Sequence, residues 1–245
     1  MIWWVLIFGT LGSAGATAGS AAVMTLPKST RRNVVPWLLA YATGTLLGAA
    51  FLGMIPKAFA EAPARDVAAT LLAGIVAFFA LEKLVIWRHC HEDRCEVHGA
   101  AGPLILIGDA LHNFVDGVVI AAAFLISVPV GIATALAVVA HELPQEVGDF
   151  AILLESGYSP WKAFLLNGLS ASATLPGAVI AYYWLVEALE ALPYVLAASA
   201  ASFIYIAAAD LIPTLHRRAS AAAALGQLAL LAAGIATIAL LTGGH

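Results

Sequence analysis

Two stretches of this chain carry residues whose types and spacing could do chemistry. One reads Gly108-Asp109-Ala110-Leu111-His112-Asn113-Phe114-Val115-Asp116-Gly117, the other His141-Glu142-Leu143-Pro144-Gln145-Glu146-Val147-Gly148-Asp149. Together they hold the ionisable groups Asp109, His112, Asp116, His141, Glu142, Glu146 and Asp149, with no Lys or Arg nearby in sequence. Imidazole nitrogen and carboxylate oxygen are the donors that zinc and similar first-row dications accept, at about 2.0–2.2 Å. On a helix His112 and Asp116 share a face, four residues apart, and His141 and Gln145 repeat that spacing. Both stretches lie inside long apolar runs, where an ionisable group costs about 2.5–3.5 kcal/mol at the bilayer centre. Carboxylates at this density repel one another, and a bound dication is the economical compensator. Buried groups that only hydrogen-bond between helices would explain one lone His more readily than the whole set.

The elements that must position them follow from composition. Of 245 residues, 62% are hydrophobic and 11% charged, against about 45–50% and about 25% in soluble domains. That balance excludes a cytosolic globular enzyme and a disordered chain, and a net charge of −4 leaves no basic surplus for a nucleic acid. Lipid permits only helices or closed barrels, and no stretch alternates as a barrel strand does. At roughly 20 apolar residues per span, the chain reads as an all-α polytopic membrane protein. Its eight transmembrane helices are expected at about 2–24, 34–58, 67–87, 103–126, 129–154, 161–186, 193–215 and 219–242, in one transmembrane domain over 1–245. The fourth and fifth spans are joined by a few residues around Pro129, so they are antiparallel neighbours whose two imidazoles and a carboxylate can converge. Pro144 frees the carbonyl of Ala140 beside His141, and such irregular backbone is tolerated where it lines a cavity.

Orientation follows from the cations. With both termini outside, Lys28, Arg31, Arg32, Lys83, Arg88, Arg94, Lys162, Arg217 and Arg218 face the cytoplasm and only Lys57 and Arg65 face out. The first segment lacks a positive leader and reads as an uncleaved span. Residues 88–99 form a cytoplasmic loop with His89, Cys90, His91, Cys95 and His98, whose donor density points to metal binding although the spacing fits no zinc finger. Asp109, Glu146 and Asp149 are expected to orient the ligands or line an exit path, and Asp210, alone among apolar neighbours, to gate that path or bond near a helix end.

The motifs His112-Asn113-Phe114-Val115-Asp116-Gly117 and His141-Glu142-Leu143-Pro144-Gln145-Glu146-Val147-Gly148-Asp149 resemble the paired signatures of the ZIP (zinc–iron permease) metal transporters, most closely the LIV-1-like branch. Ala80-Leu81-Glu82-Lys83 and the stretch from Phe203 to Pro213 agree with it. The resemblance implies a transport site of His112, Asn113, Asp116, His141, Glu142 and Gln145, eight helices with outside termini, and helices one, four, five and six moving as a unit. Three departures stand out. Gln145 replaces a His of the LIV-1-like pattern. The sixth span has Asn167-Gly168-Leu169-Ser170-Ala171-Ser172 where many bacterial members place a Glu of a binuclear centre. The second span ends Leu52-Gly53-Met54-Ile55-Pro56-Lys57 where His and Glu are common.

The expected function is movement of a divalent transition metal toward the cytoplasm, zinc first, with iron, manganese or cadmium as alternatives. No phosphate-binding Gly-x4-Gly-Lys-Ser/Thr loop occurs. An intramembrane zinc hydrolase built on His-Glu-x-x-His fails at Gln145, while a membrane zinc hydrolase with His/Asp ligands and a Ser, and a sensor that does not translocate, are the alternatives left open. The metal is cargo, with no resident cofactor expected. The partners expected are the metal ion, the lipid bilayer and, as an open alternative, a second copy in a homodimer, within a multi-pass membrane of bacterial cytoplasmic type.

Overall fold

A computed structural model describes residues 1–87, 101–216 and 221–242, and among them the chain is helical with no strand. The helices are α1 (Ile2–Thr25), α2 (Lys28–Gly48), α3 (Ile55–Glu61), α4 (Ala64–Trp87), α5 (Ala101–Ile126), α6 (Val128–Glu155), α7 (Pro160–Ala171), α8 (Thr174–Glu187), α9 (Leu192–Tyr205), α10 (Ile212–His216) and α11 (Ala221–Thr242). Among the described residues seven helical stretches are long and apolar enough to cross a membrane, namely Ile2–Thr25, Asn33–Glu61, Leu106–Ile126, Val128–Leu154, Pro160–Glu187, Leu189–His216 and Ala223–Thr242. The 24-residue α4 is a further long helix, and the expected count of eight includes it. The chain is an all-α, multi-pass membrane protein.

Three stretches read from sequence as unbroken depart from a plain α-helix, each beside a proline. The π-helical turns Ala49–Met54 and Ile206–Leu211 run directly into Ile55-Pro56 and Ile212-Pro213. A proline has no N–H for the carbonyl four residues back, here Leu52 and Ala209. A π turn spaces its bonds five residues apart and so carries the carbonyl past the gap. Between α7 and α8 the chain turns at Ser172 and Ala173, because Pro176 denies Ser172 its usual donor and the Leu175 N–H takes that carbonyl instead, at 3.1 Å. Pro144, by contrast, is carried inside a continuous α6.

α5 and α6 form a hairpin with one residue between them. Ser127 is extended (φ −164°, ψ 157°), its hydroxyl accepts the Val130 N–H at 3.3 Å, and Pro129 occupies the first turn, where its missing N–H costs nothing. α1 and the α7–α8 pair pack on this hairpin, while α2 pairs with α11 and α4 with α9, and these meet the hairpin through α2–α6, α11–α6 and α5–α9 contacts. Lipid supplies no hydrophobic drive between helices, so close van der Waals fit does the work. α5 and α8 show it. A Cβ at Gly117 would overlap the Thr174 carbonyl oxygen, and one at Gly177 would overlap that of Phe114. This mutual approach sets the start of α8 against the middle of α5. Fully buried Phe124, Ile120, Leu46, Met54, Phe203 and Leu196 fill the interior, while Leu72, Val76, Phe79, Leu225 and Leu240 face outward as lipid-facing side chains.

Candidate metal centre

Midway along the hairpin, helical spacing stacks His112 and Asp116 on α5 opposite His141 and Glu142 on α6. One donor atom from each of the four lies within 4.8 Å of the others. The two imidazole Nε2 atoms are 3.2 Å apart. His112 Nε2 is 3.2 Å from Glu142 Oε1 and 3.8 Å from Asp116 Oδ2, and His141 Nε2 is 3.3 Å from Asp116 Oδ2 and 3.4 Å from Glu142 Oε1. A tetrahedral ion bound at about 2.0–2.1 Å separates its ligands by about 3.3 Å. Four of these five distances fall at that value, and the fifth is half an ångström longer. The cluster has the dimensions of a two-nitrogen, two-oxygen tetrahedron.

The surroundings tune the donors. His141 Nδ1 donates to the Ala137 carbonyl oxygen at 3.0 Å, one helical turn back on α6. With its proton on Nδ1, a neutral imidazole turns the Nε2 lone pair into the cluster. Phe203 of α9 stands edge-on to His141 with ring centroids 5.9 Å apart and walls the site from the second group of helices. Asp116, His141 and Glu142 are buried, whereas the His112 side chain keeps 21% exposure and forms the rim. Both oxygens of Asp116 and of Glu142 are buried without a hydrogen-bond donor. Buried carboxylates normally collect such donors, and leaving them bare is costly. A dication would supply what is missing.

Around this cluster the other predicted residues are engaged differently. The Asn113 amide donates from Nδ2 to Asp109 Oδ1 at 3.0 Å, and its Oδ1 accepts the Thr174 hydroxyl at 3.1 Å, so both ends are occupied. Gln145 Nε2 donates to Asp109 Oδ1 at 3.3 Å. Asp109, Glu142 and Glu146 form a second group of close carboxylates, but the Asp109 oxygens face neutral donors from three helices, Ser170 Oγ giving the third bond at 2.6 Å. Glu146 accepts from Asn167 Nδ2 and leaves Oε1 without a donor. Asp149 is buried further along α6, outside both groups. Asp210 falls in the turn Ile206–Leu211, with its side chain outside the described set, and His89, Cys90, His91, Cys95 and His98 lie outside the described residues.

Asn167, Ser170 and Thr174 were not singled out from sequence as donors to the site. Each gives a hydrogen bond across to α5 or α6. The signal was present: their i, i+3, i+7 spacing is a polar stripe on an otherwise apolar helical stretch.

The family model described as ZIP Zinc transporter matches residues 87–242. Among curated relatives, Zinc transporter ZIP13 of Pongo abelii is 36% identical over 220 residues, covering 83% of this chain and 65% of the relative. Zinc transporter ZIP13 of Homo sapiens is 30% identical over 257 residues, covering 83% and 69%. Zinc transporter ZIP4 of Homo sapiens is 44% identical over 112 residues, covering 46% of this chain and 17% of that protein. The chain thus spans about two thirds of the ZIP13 relatives' length and far less of ZIP4. It belongs to the ZIP family.

Proposed function

Starting from that membership, we propose that the chain carries a divalent transition-metal ion, zinc first, across the membrane toward the cytoplasm, and that the ion binds between α5 and α6 on His112, Asp116, His141 and Glu142. The observation that carries this reading is the pair of buried, donor-less carboxylates set against two imidazole Nε2 atoms at tetrahedral-ligand spacing. The relatives' printed names, all zinc transporters, support the substrate.

In this mechanism the ion sheds water as it meets His112 at the rim and passes to the three buried ligands. Deprotonated donors are needed, so binding displaces protons. The excess of Lys and Arg that sets the expected orientation puts the end of α6 bearing Glu146 and Asp149 nearer the cytoplasm. These carboxylates are the next acceptors on the way out, with the loop histidines beyond them. Transport rather than hydrolysis fits a cluster whose four donors all point at one centre and whose position 145 is an amide.

The test is uptake of radioactive zinc into proteoliposomes, with iron as competitor, for the unmodified chain and for His141→Ala. Saturable uptake that the substitution abolishes is expected. Undiminished flux in His112→Ala combined with His141→Ala would sink the site assignment, and zinc binding with no uptake in the unmodified chain would turn the reading to a sensor.

A further inference from the structure

Asp109 is the hub of the hydrogen bonds beneath the metal cluster. Its Oδ1 accepts from Asn113 Nδ2 at 3.0 Å and from Gln145 Nε2 at 3.3 Å, and its Oδ2 accepts the Ser170 hydroxyl at 2.6 Å. Its backbone oxygen takes a second bond from Asn113 Nδ2 at 3.1 Å. It is 4% exposed, so these partners stand in for water. A carboxylate only accepts, whereas a primary amide has a donating end and an accepting end that exchange places when it flips. Every amide that meets Asp109 must therefore present its nitrogen to it and turn its oxygen elsewhere. For Asn113 the oxygen goes to Thr174. For Gln145, four residues after His141 and so on the same face of α6, the oxygen is left facing away from Asp109.

We propose that Asp109 is a positioning residue that locks the Gln145 amide with its oxygen, and not its NH2, available to the cation bound by His141 and its neighbours. This rests on the proposed function, since it concerns the same ion. Gln145 is neutral and its two ends are nearly the same size, so nothing in its own shape decides which one a cation meets. The decision lies with the partner behind it. An amide at 109 would offer both a donor and an acceptor and would let Gln145 turn its NH2, with its partial positive charge, toward the ion. Ser170 bonds the far oxygen of Asp109 and restrains the carboxylate from that side.

The experiment measures zinc affinity of the purified full chain in detergent by competition with a chelating indicator, alongside thermal melting. Asp109→Asn is expected to weaken zinc by about 10-fold or more, the usual effect of removing a residue that orients a metal ligand. Gln145→Glu makes both ends of residue 145 oxygen, so adding Asp109→Asn to that background is expected to cost less than threefold. A purely structural Asp109 would cost the same in either background. Equal losses in the two backgrounds, Asp109→Asn indistinguishable from the unmodified chain, or failure of Asp109→Asn to fold both alone and with Gln145→Glu each overturn the inference. An unmodified chain that binds no zinc overturns the proposed function along with it, whereas zinc binding that ignores Asp109 leaves that function standing.

Discussion

Replacing Glu142 by Gln should weaken metal binding while leaving the metal-free protein folded. Glu142 is 1% exposed, both its oxygens lack a hydrogen-bond donor, and its Oε1 lies 3.2 and 3.4 Å from the two imidazole nitrogens. A dication about 3 Å from the carboxylate charge gains about 11 kcal/mol at an effective dielectric constant near 20. Most of that is offset by the cost of holding the carboxylate out of water, and removing one partner of a buried charge pair typically loses about 3–5 kcal/mol. The expected weakening of zinc is therefore roughly two to three and a half orders of magnitude. Without metal the two imidazoles face Glu142 Oε1 at 3.2 and 3.4 Å, and the near-isosteric amide keeps an accepting oxygen there, so the metal-free fold is retained. The assay pairs zinc competition with melting temperatures recorded with and without chelator. A misfolded variant would lose both affinity and stability. Zinc affinity within threefold of the unmodified chain, in a variant that still melts as a folded protein in the presence of chelator, would refute the reasoning.

Two further outcomes follow from the same geometry. Gly177→Ala forces a methyl into the Phe114 carbonyl where α5 and α8 cross, and overpacking of this kind costs about 1–3 kcal/mol; the melting temperature should fall, whereas the same change at Gly108, inside α5 where a Cβ meets nothing within 4 Å, should not lower it. Zinc affinity should decline as pH is lowered, because protons compete for the same imidazole nitrogens and carboxylate oxygens, by up to about tenfold per pH unit for each proton displaced; titration calorimetry in buffers of different ionisation enthalpy counts those protons, and a pH-independent affinity would contradict ligation by His112 and His141.

What could be read from the sequence was local. His112 with Asp116 and His141 with Gln145 are four apart, and helical geometry alone places each pair on one face. The short link around Pro129 makes the two helices neighbours, so the meeting of His112 with His141 was legible before any coordinates. The rest depended on packing between distant segments. That Asn167, Ser170 and Thr174 face α5 and α6 follows from the crossing at Gly117 and Gly177, which no spacing announces. That Asn113 has both amide ends engaged, although the resemblance implied a place for it among the ligands, follows from Asp109 on one side and Thr174 on the other. The π turns had a sequence signal in Pro56 and Pro213, but a proline foretells a lost hydrogen bond without saying whether the helix kinks, breaks or widens. Pro144, Pro176 and Pro213 take three different outcomes in one chain.

The single-residue turn at Ser127 also bears on the order in which the molecule assembles. His112 and His141 are 29 positions apart in the chain, the Ser170 bond to Asp109 closes a separation of 61, and the Tyr41 bond to Thr237 one of 196. Loop-closure cost grows by about 0.6 kcal/mol for each doubling of length, so the four donors meet at the smallest entropic cost of the three. The chain between residues 101 and 155 contains the entire cluster, and it leaves the ribosome before the donor stripe of α7–α8 and well before α11 can close on α2. An ion available during synthesis would find the four candidate donors together while more than a third of the protein had yet to be made.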